Sequence, residues 1–136
     1  MTPSAILESA LYVTDLYAAE GFYREVLGLA VIAKVPGRHV FFRCGDGVLL
    51  LFVAEATKVP PSSDARFPVP PHGTTGAGHL CFAATADEIG AWRERLTAAG
   101  VAVETEFEWP KGGRSIYFRD PSGNSLEFAE PRIWGI

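Results

Sequence analysis

Apolar and polar positions along the chain follow two periods that alternate in blocks. Residues 5–13 are rich in β-forming apolar side chains, and Asp15 then stands as a helix N-cap ahead of Leu16, Ala19, Phe22, Tyr23, Val26 and Leu27. Those positions follow the i, i+3, i+4, i+7 spacing of an amphipathic helix, and Gly28 is placed to end it in a left-handed turn. Three short strands are predicted next, at 29–35, 40–44 and 48–53. The last two are joined by Gly45-Asp46-Gly47, which is hairpin turn chemistry.

The pattern then breaks. Residues 57–76 hold five of the ten prolines (Pro60, Pro61, Pro68, Pro70 and Pro71) with Ser62, Ser63, Gly73 and Gly76, and they read as a long linker or lid. After this stretch the first block recurs. Residues 79–83 are strand-like, and Thr85 with Glu88 forms a T-x-x-E capping box that opens a helix through Ile89, Trp92 and Leu96 to Gly100. Trp92 shares the apolar spacing of that helix and is assigned to the core. Strands are predicted at 101–107, 115–119 and 125–128, with Asp120-Pro121-Ser122-Gly123-Asn124 as the turn between the last two. Gly28 and Gly100 lie 72 positions apart, and Glu8 and His79 lie 71 apart.

The chain is thus strand, helix, strand, strand, strand, written twice: module 1 at about 5–56, module 2 at about 77–130, and a tail at 131–136. The predicted class is α+β, two tandem βαβββ modules in a single domain. A helix covers one face of each small sheet, and the other face must close against a second module, leaving a cleft.

Composition narrows the function classes. The 136 residues are 48% hydrophobic and 21% charged, with a net charge of −4 and scattered Lys and Arg, so no basic footprint for nucleic acid exists. The N-terminus carries neither a basic start nor an apolar signal stretch, and no apolar run approaches the ~20 residues of a bilayer span. The expectation is a soluble, cytoplasmic protein without a membrane partner. Cys44 and Cys81 each lie in an apolar strand-like segment, which predicts buried free thiols and gives no basis for a thiolate zinc site.

Candidate chemistry emerges from the pleat. Side chains alternate faces along a strand, so Glu8, Ala10 and Tyr12 share one side while Leu7, Leu11 and Val13 share the other. Likewise His79 and Cys81 oppose Leu80 and Phe82, Ser125 and Glu127 oppose Leu126 and Phe128, and Ser115 and Tyr117 oppose Ile116 and Phe118. The apolar sets belong under the helices. Glu8, His79 and Glu127 then fall on the faces away from them, where a buried carboxylate is costly unless a cation compensates it. The plainer reading of Glu8 is a solvated edge residue or a partner of Arg43, Arg114 or Arg119. His39, on the third strand, and His72, in the proline-rich segment, have no role assigned.

Three motifs carry a resemblance. L-Y-V-T-D-L (11–16) followed by F-Y-R-E-V-L-G-L (22–29), G-H-L-C-F (78–82) and S-I-Y-F-R-D-P-S-G-N-S-L-E-F (115–128) together resemble the vicinal oxygen chelate superfamily. That group includes glyoxalase I, fosfomycin-resistance thiol transferases, bleomycin-binding proteins and extradiol dioxygenases. The resemblance implies metal ligands on the first and fourth strand of each module: Glu8 and His79 on the first strands, Leu51 and Glu127 on the last. Leu51 is inert, which leaves Glu8, His79 and Glu127 as a facial triad for one divalent metal per site. One imidazole with two carboxylates suits Zn²⁺, Mn²⁺, Fe²⁺ or Ni²⁺, with Zn²⁺ placed first.

By the same resemblance, Glu8 or Glu127 is the catalytic base, and Ser115 and Tyr117 match an S-x-Y that contacts substrate in fosfomycin-resistance proteins. W-P-K-G-G-R (109–114) is similar to a substrate loop of glyoxalase I. Lys111, Arg114 and Arg43 are candidates for an anionic group, with Trp109 and Tyr12 as ring contacts. The implied function is a metal-dependent, glyoxalase-like lyase or isomerase acting on a small oxygenated or thiol-conjugated molecule. The alternatives are a fosfomycin-type thiol transferase and a non-catalytic bleomycin-type binder with an apolar, aromatic cleft. A homodimer is expected, with Glu8 and His79 meeting within one chain or across two.

Overall fold

The computed structural model describes all residues, 1–136, as two compact units, Met1–Gly76 and Ala77–Ile136. In the first, the elements are β1 (Glu8–Tyr12), α1 (Leu16–Gly21, continued by a π turn, Phe22–Val26), β2 (Ala30–Val35), β3 (His39–Cys44), β4 (Gly47–Phe52) and the short α2 (Ala54–Thr57). In the second they are β5 (His79–Ala83), α3 (Ala86–Ala98), β6 (Thr105–Glu108), β7 (Arg114–Arg119), β8 (Ser125–Ala129) and a 3₁₀ turn, Pro131–Trp134. Each unit is α+β, with one four-stranded sheet.

The two sheets have the same topology, β1-β4-β3-β2 and β5-β8-β7-β6. The first and last strands of each block run parallel as neighbours, and the remaining pairs are antiparallel. One face of each sheet is sealed. Leu11, Val40, Phe42, Leu49 and Leu51 are buried on the side that also buries Ala19 and Tyr23, and Ile116, Phe118, Leu126 and Phe128 do the same with Ile89 and Leu96. Trp92 stacks on Phe128 with ring centroids 4.4 Å apart, in keeping with its place on the apolar side of α3.

The caps read from sequence are built. The Asp15 carboxylate accepts the Ala18 N–H, and Thr85 and Glu88 form a reciprocal capping box. Gly28 and Gly100 leave their helices at φ 75° and 73°, a left-handed conformation that glycine adopts without strain.

Several boundaries differ from expectation for local reasons. The first helix widens after Gly21, so that the Leu27 N–H reaches the Phe22 carbonyl, and this turn buries the adjacent rings of both Phe22 and Tyr23. The strand expected from residue 101 begins only at Thr105, because the Val101 N–H is spent on the Leu96 carbonyl in closing α3. α2 was not predicted; it is one turn, held in part by the Thr57 hydroxyl donating to the Val53 and Ala54 carbonyls. Both cysteines are free, but neither is buried as expected: Cys44 is half-buried and Cys81 exposed, since β5 is an edge strand.

Candidate functional site

The open face of the second sheet holds a buried carboxylate. Glu127 sits on β8 between two strands, opposite Cys81 on one side and Tyr117 on the other, and is only 5% exposed. Its Oε1 is buried with no hydrogen-bond partner. Its Oε2 lies 3.4 Å from His79 Nε2, and the His79 side chain is itself 53% exposed. An unpaired oxygen on a buried carboxylate is expensive, and this cost makes Glu127 a candidate ligand.

The orientation of His79 sharpens the point. Its Nδ1 lies 3.1 Å from the Ser125 carbonyl, and a carbonyl only accepts, so the bond requires hydrogen on Nδ1. In the neutral ring, Nε2 then carries a lone pair and faces a carboxylate oxygen. Two acceptors 3.4 Å apart repel unless a proton or a cation stands between them. A charge-assisted hydrogen bond would be shorter, about 2.7 to 2.9 Å. Two ligand bonds of about 2.1 Å meeting at a tetrahedral angle span about 3.4 Å. The donor set and its spacing fit a divalent cation, and a ring whose second nitrogen donates to a backbone carbonyl is the usual form of a metal-binding histidine.

Neighbouring groups are tuned by the same carboxylate. Desolvation, and then Glu127, push the Cys81 thiol up to about 12, and the same two causes push the Tyr117 phenol up to about 12. Both therefore keep their protons at neutral pH, and Tyr117 remains a donor. A row of rings continues away from His79. Tyr117 lies 6.3 Å from it in near-parallel stacking, Phe107 lies 5.9 Å from Tyr117, and Trp109 lies 5.0 Å from Phe107. Phe107 and Trp109 are 39% and 38% exposed, so their faces are open to a ligand. Phe107 was not among the sequence candidates; its place opposite Ser115 depends on the β6–β7 register.

Ser115 differs from expectation in its availability. It is fully buried, and its hydroxyl accepts the Trp109 indole N–H at 2.8 Å, so it anchors the ring and does not face open space. The 109–114 loop is likewise a closed turn, with Trp109 N–H donating to Gly113 O and Gly112 N–H to Trp109 O. Gly113, at φ 97°, has no room for a side chain: a Cβ there would stand 2.4 Å from Ile133 Cγ2. Within this turn Lys111 is exposed, whereas Arg114 lies 3.7 Å from Glu106 Oε1 and its backbone N–H donates to Glu130.

The matching face of the first sheet has different contents. Glu8 is exposed on β1, opposite Val48, and Arg43 is exposed on β3, also opposite Val48. Ala10 pairs with Leu50 here as Cys81 pairs with Glu127 in the second unit. The register corrects one expectation: Leu50, not Leu51, occupies the position equivalent to Glu127. Leu51 points to the sealed side, 0% exposed, opposite Leu11.

Farther along this face, Tyr12, Phe41 and Phe52 form a ring cluster with both remaining histidines. His39 stacks on Phe41 at 4.1 Å, and its pKa is lowered by burial and then by the Arg38 charge. Tyr12 Oη lies 2.6 Å from His72 Nδ1, and the His72 N–H donates to the Thr57 carbonyl, so this part of the proline-rich segment is tied down. Among the three ligand candidates, the structure brings His79 and Glu127 together, and Glu8 lies on the other unit. No group of three or more His, Cys, Asp or Glu side chains is gathered to hold a metal.

Comparison with known proteins identifies the family. The chain belongs to the Glyoxalase/Bleomycin resistance protein/Dioxygenase superfamily, whose profile matches residues 5–128. The fold expected from the repeated pattern is that of the family. The crystal structure of lactoylglutathione lyase from Agrobacterium tumefaciens is similar over 100% of both chains, at 47% identity and a TM-score of 0.92. A virulence protein from Salmonella typhimurium is 28% identical with a TM-score of 0.70, over 96% of this chain and 98% of its own. Glutathione transferase FosA from Serratia marcescens is 28% identical over 120 residues, 86% of this chain and 74% of that protein. Family members generally use a divalent metal, bind small molecules and often dimerise. No helix here is long and apolar enough to cross a membrane.

Proposed function

We propose that this chain is a metal-dependent lyase or isomerase of the glyoxalase type, acting on a small thiol-conjugated or oxygenated molecule. The observation that carries the reading is the pair of acceptors, His79 Nε2 and Glu127 Oε2, 3.4 Å apart beside the unpartnered Glu127 Oε1. Similarity to a lactoylglutathione lyase along the full length supports the reaction class. His79 and Glu127 would hold one divalent cation, and Glu8 would complete the set from the same chain or from the second copy of a homodimer. Bound there, the cation supplies Lewis-acid stabilisation of negative charge developing on substrate oxygens.

The chain's own groups would divide the remaining work. The Glu127 carboxylate, with one oxygen unpartnered, takes a proton from the substrate carbon and returns it, and Glu8 is the alternative base. Tyr117, held protonated, donates a hydrogen bond toward the reacting oxygens. Phe107 and Trp109 offer apolar faces that exclude water and orient the substrate. Lys111 and Arg43 are exposed cations suited to a carboxylate-bearing thiol such as the glutathionyl group in the relative's name. Arg114, shared between Glu106 and the turn, serves the loop's shape instead.

Thiol transfer is the second reading, favoured by the likeness to FosA. Weighing against it, Ser115 of the S-x-Y pattern is fully buried, with the Trp109 indole donating to its hydroxyl. The test is metal content of untagged protein together with turnover of lactoylglutathione. One divalent ion per chain, lost in His79→Ala and reduced in Glu8→Gln, is the expected result. Unchanged metal content in both variants would overturn the assignment, and metal binding without lactoylglutathione turnover would favour transfer. Mixing the two inactive variants separates the assemblies: activity returns only if Glu8 and His79 of one site come from different copies.

A further inference from the structure

The turn Asp120-Pro121-Ser122-Gly123-Asn124 enters neither the ligand set nor the substrate contacts, yet it holds two polar side chains that are almost completely buried. Asp120 is 4% exposed and Asn124 1%. Asp120 Oδ1 accepts the backbone N–H groups of Ser122 and Asn124, each at 2.9 Å, and Asp120 Oδ2 accepts the Asn124 side-chain amide at 2.8 Å. The other end of that amide, Asn124 Oδ1, accepts the Gly78 N–H at 2.7 Å. Gly78 is gripped a second time, since its carbonyl accepts the Ser125 N–H at 2.9 Å. The next residue in each strand completes the series: His79 pairs with Ser125 in parallel register, and its Nδ1 donates to the Ser125 carbonyl.

We propose that Asn124, oriented by Asp120, is a positioning residue for His79. It clamps Gly78 to the end of β8 so that the imidazole is held over the Ser125 carbonyl in the tautomer that leaves Nε2 free for a cation. The inference rests on the metal-site reading above and adds residues to it. Its physical basis is directional. A carboxylate only accepts, so Asp120 fixes which end of the Asn124 amide faces it, and the carbonyl end must then face the Gly78 N–H. β5 is an edge strand and the His79 ring is exposed, so packing alone does not hold the ring. A free imidazole prefers hydrogen on Nε2, the nitrogen that a metal needs bare, and the clamp works against that preference by keeping the Ser125 carbonyl within reach.

Nitrogen-15 spectra of the His79 ring in metal-free protein, at about pH 8.5 where imidazoles are neutral, test this without requiring activity. Wild type is expected to carry hydrogen on Nδ1, and Asn124→Ala to shift toward the Nε2 form. Zn²⁺ titrated alone into the same samples is expected to bind roughly 10- to 100-fold more weakly to the variant. Removing a buried amide threatens folding, so the exchanged pair Asp120→Asn/Asn124→Asp provides a second arm. Asn at 120 still accepts both backbone N–H groups and donates to Asp at 124, which still accepts from Gly78. Asn124→Asp alone sets two carboxylates together and should release the ring, and the double exchange should restore the Nδ1 tautomer and the Zn²⁺ affinity. An unchanged tautomer in folded Asn124→Ala, or a folded double exchange that fails to restore it, would sink the proposal. A wild-type protein with the Nδ1 tautomer but no Zn²⁺ affinity would sink the metal-site reading while leaving the clamp intact.

Discussion

The two sheets have the same strand order and the same pairing directions, and they present opposite chemistry on their open faces. At the matched central position the second sheet carries Glu127, beside Cys81 and Tyr117, whereas the first carries Leu50, beside Ala10 and Phe41. The first unit has in compensation a cluster of five rings, with Tyr12 tied to His72. The backbone therefore offers equivalent slots twice, and side-chain identity in register decides which slot carries a carboxylate. The repeat supplies a frame, and divergence within it separates a wall with a buried carboxylate from an aromatic one.

That contrast can be broken most severely through register. Leu51→Glu would drive a carboxylate into the sealed layer, at a cost above about 3 kcal/mol, and should abolish cooperative unfolding whether or not metal is present. Leu50→Glu, one position away, also buries a carboxylate, since Leu50 is 8% exposed, but on the face that Glu8 shares, so it should destabilise less than Leu51→Glu and its melting temperature should rise on adding Zn²⁺. Equal damage from both would show that the open and sealed faces are misassigned. Next in size, Glu127→Leu copies the first sheet's residue into the second. It should lose the metal and at least about 100-fold in turnover while raising thermal stability or leaving it unchanged, since an unsatisfied buried oxygen is removed.

Smaller effects sharpen the comparison. Tyr12→Phe removes the tether to His72 and should speed proteolytic cleavage within 57–76, with a local cost of about 1 kcal/mol and no change in metal content. Cleavage at the wild-type rate would mean that the tether does not restrain the segment. Smallest is the acid response of the second unit, where the Arg93 guanidinium bonds to Glu106 and holds its carboxyl below the usual range, against a smaller opposing effect of burial. A carboxyl lowered in the folded state stabilises fully above its unfolded pKa and loses that contribution as pH falls through the folded value. Melting temperatures measured from pH 6 downward should therefore fall less steeply in Glu106→Gln than in wild type.

Much of the frame is written locally. The N-cap at Asp15, the capping box of Thr85 and Glu88, the left-handed Gly28 and Gly100, and the two-residue alternation in 79–83 and 125–128 each depend on neighbours within a few positions. The same alternation assigns Glu8, His79 and Glu127 to the faces away from the helices. It failed where pairing between strands decides the outcome. Leu50 and Leu51 are both leucine, so only the ladder with β1 and β3 reveals which of them stands where Glu127 stands. Ser115 reads as a donor on a strand, and only the tertiary structure shows that it is fully buried and accepts the Trp109 indole N–H. Phe107 and Asn124 are placed by Ser115 and Gly78, the latter 46 residues away from Asn124.

By itself, then, the sequence determined the repeated α+β block, the helix ends, and the chemical types able to meet a cation, because those follow from short-range sterics and period. Tertiary structure alone decided that His79 Nε2 and Glu127 Oε2 lie 3.4 Å apart, that Glu127 Oε1 is left unpaired, and that a buried asparagine from a distant turn accepts the Gly78 N–H beside the strand carrying His79. Hydrogen bonds are directional and the buried face excludes water, so the partner of each polar atom is settled only when the strands have paired.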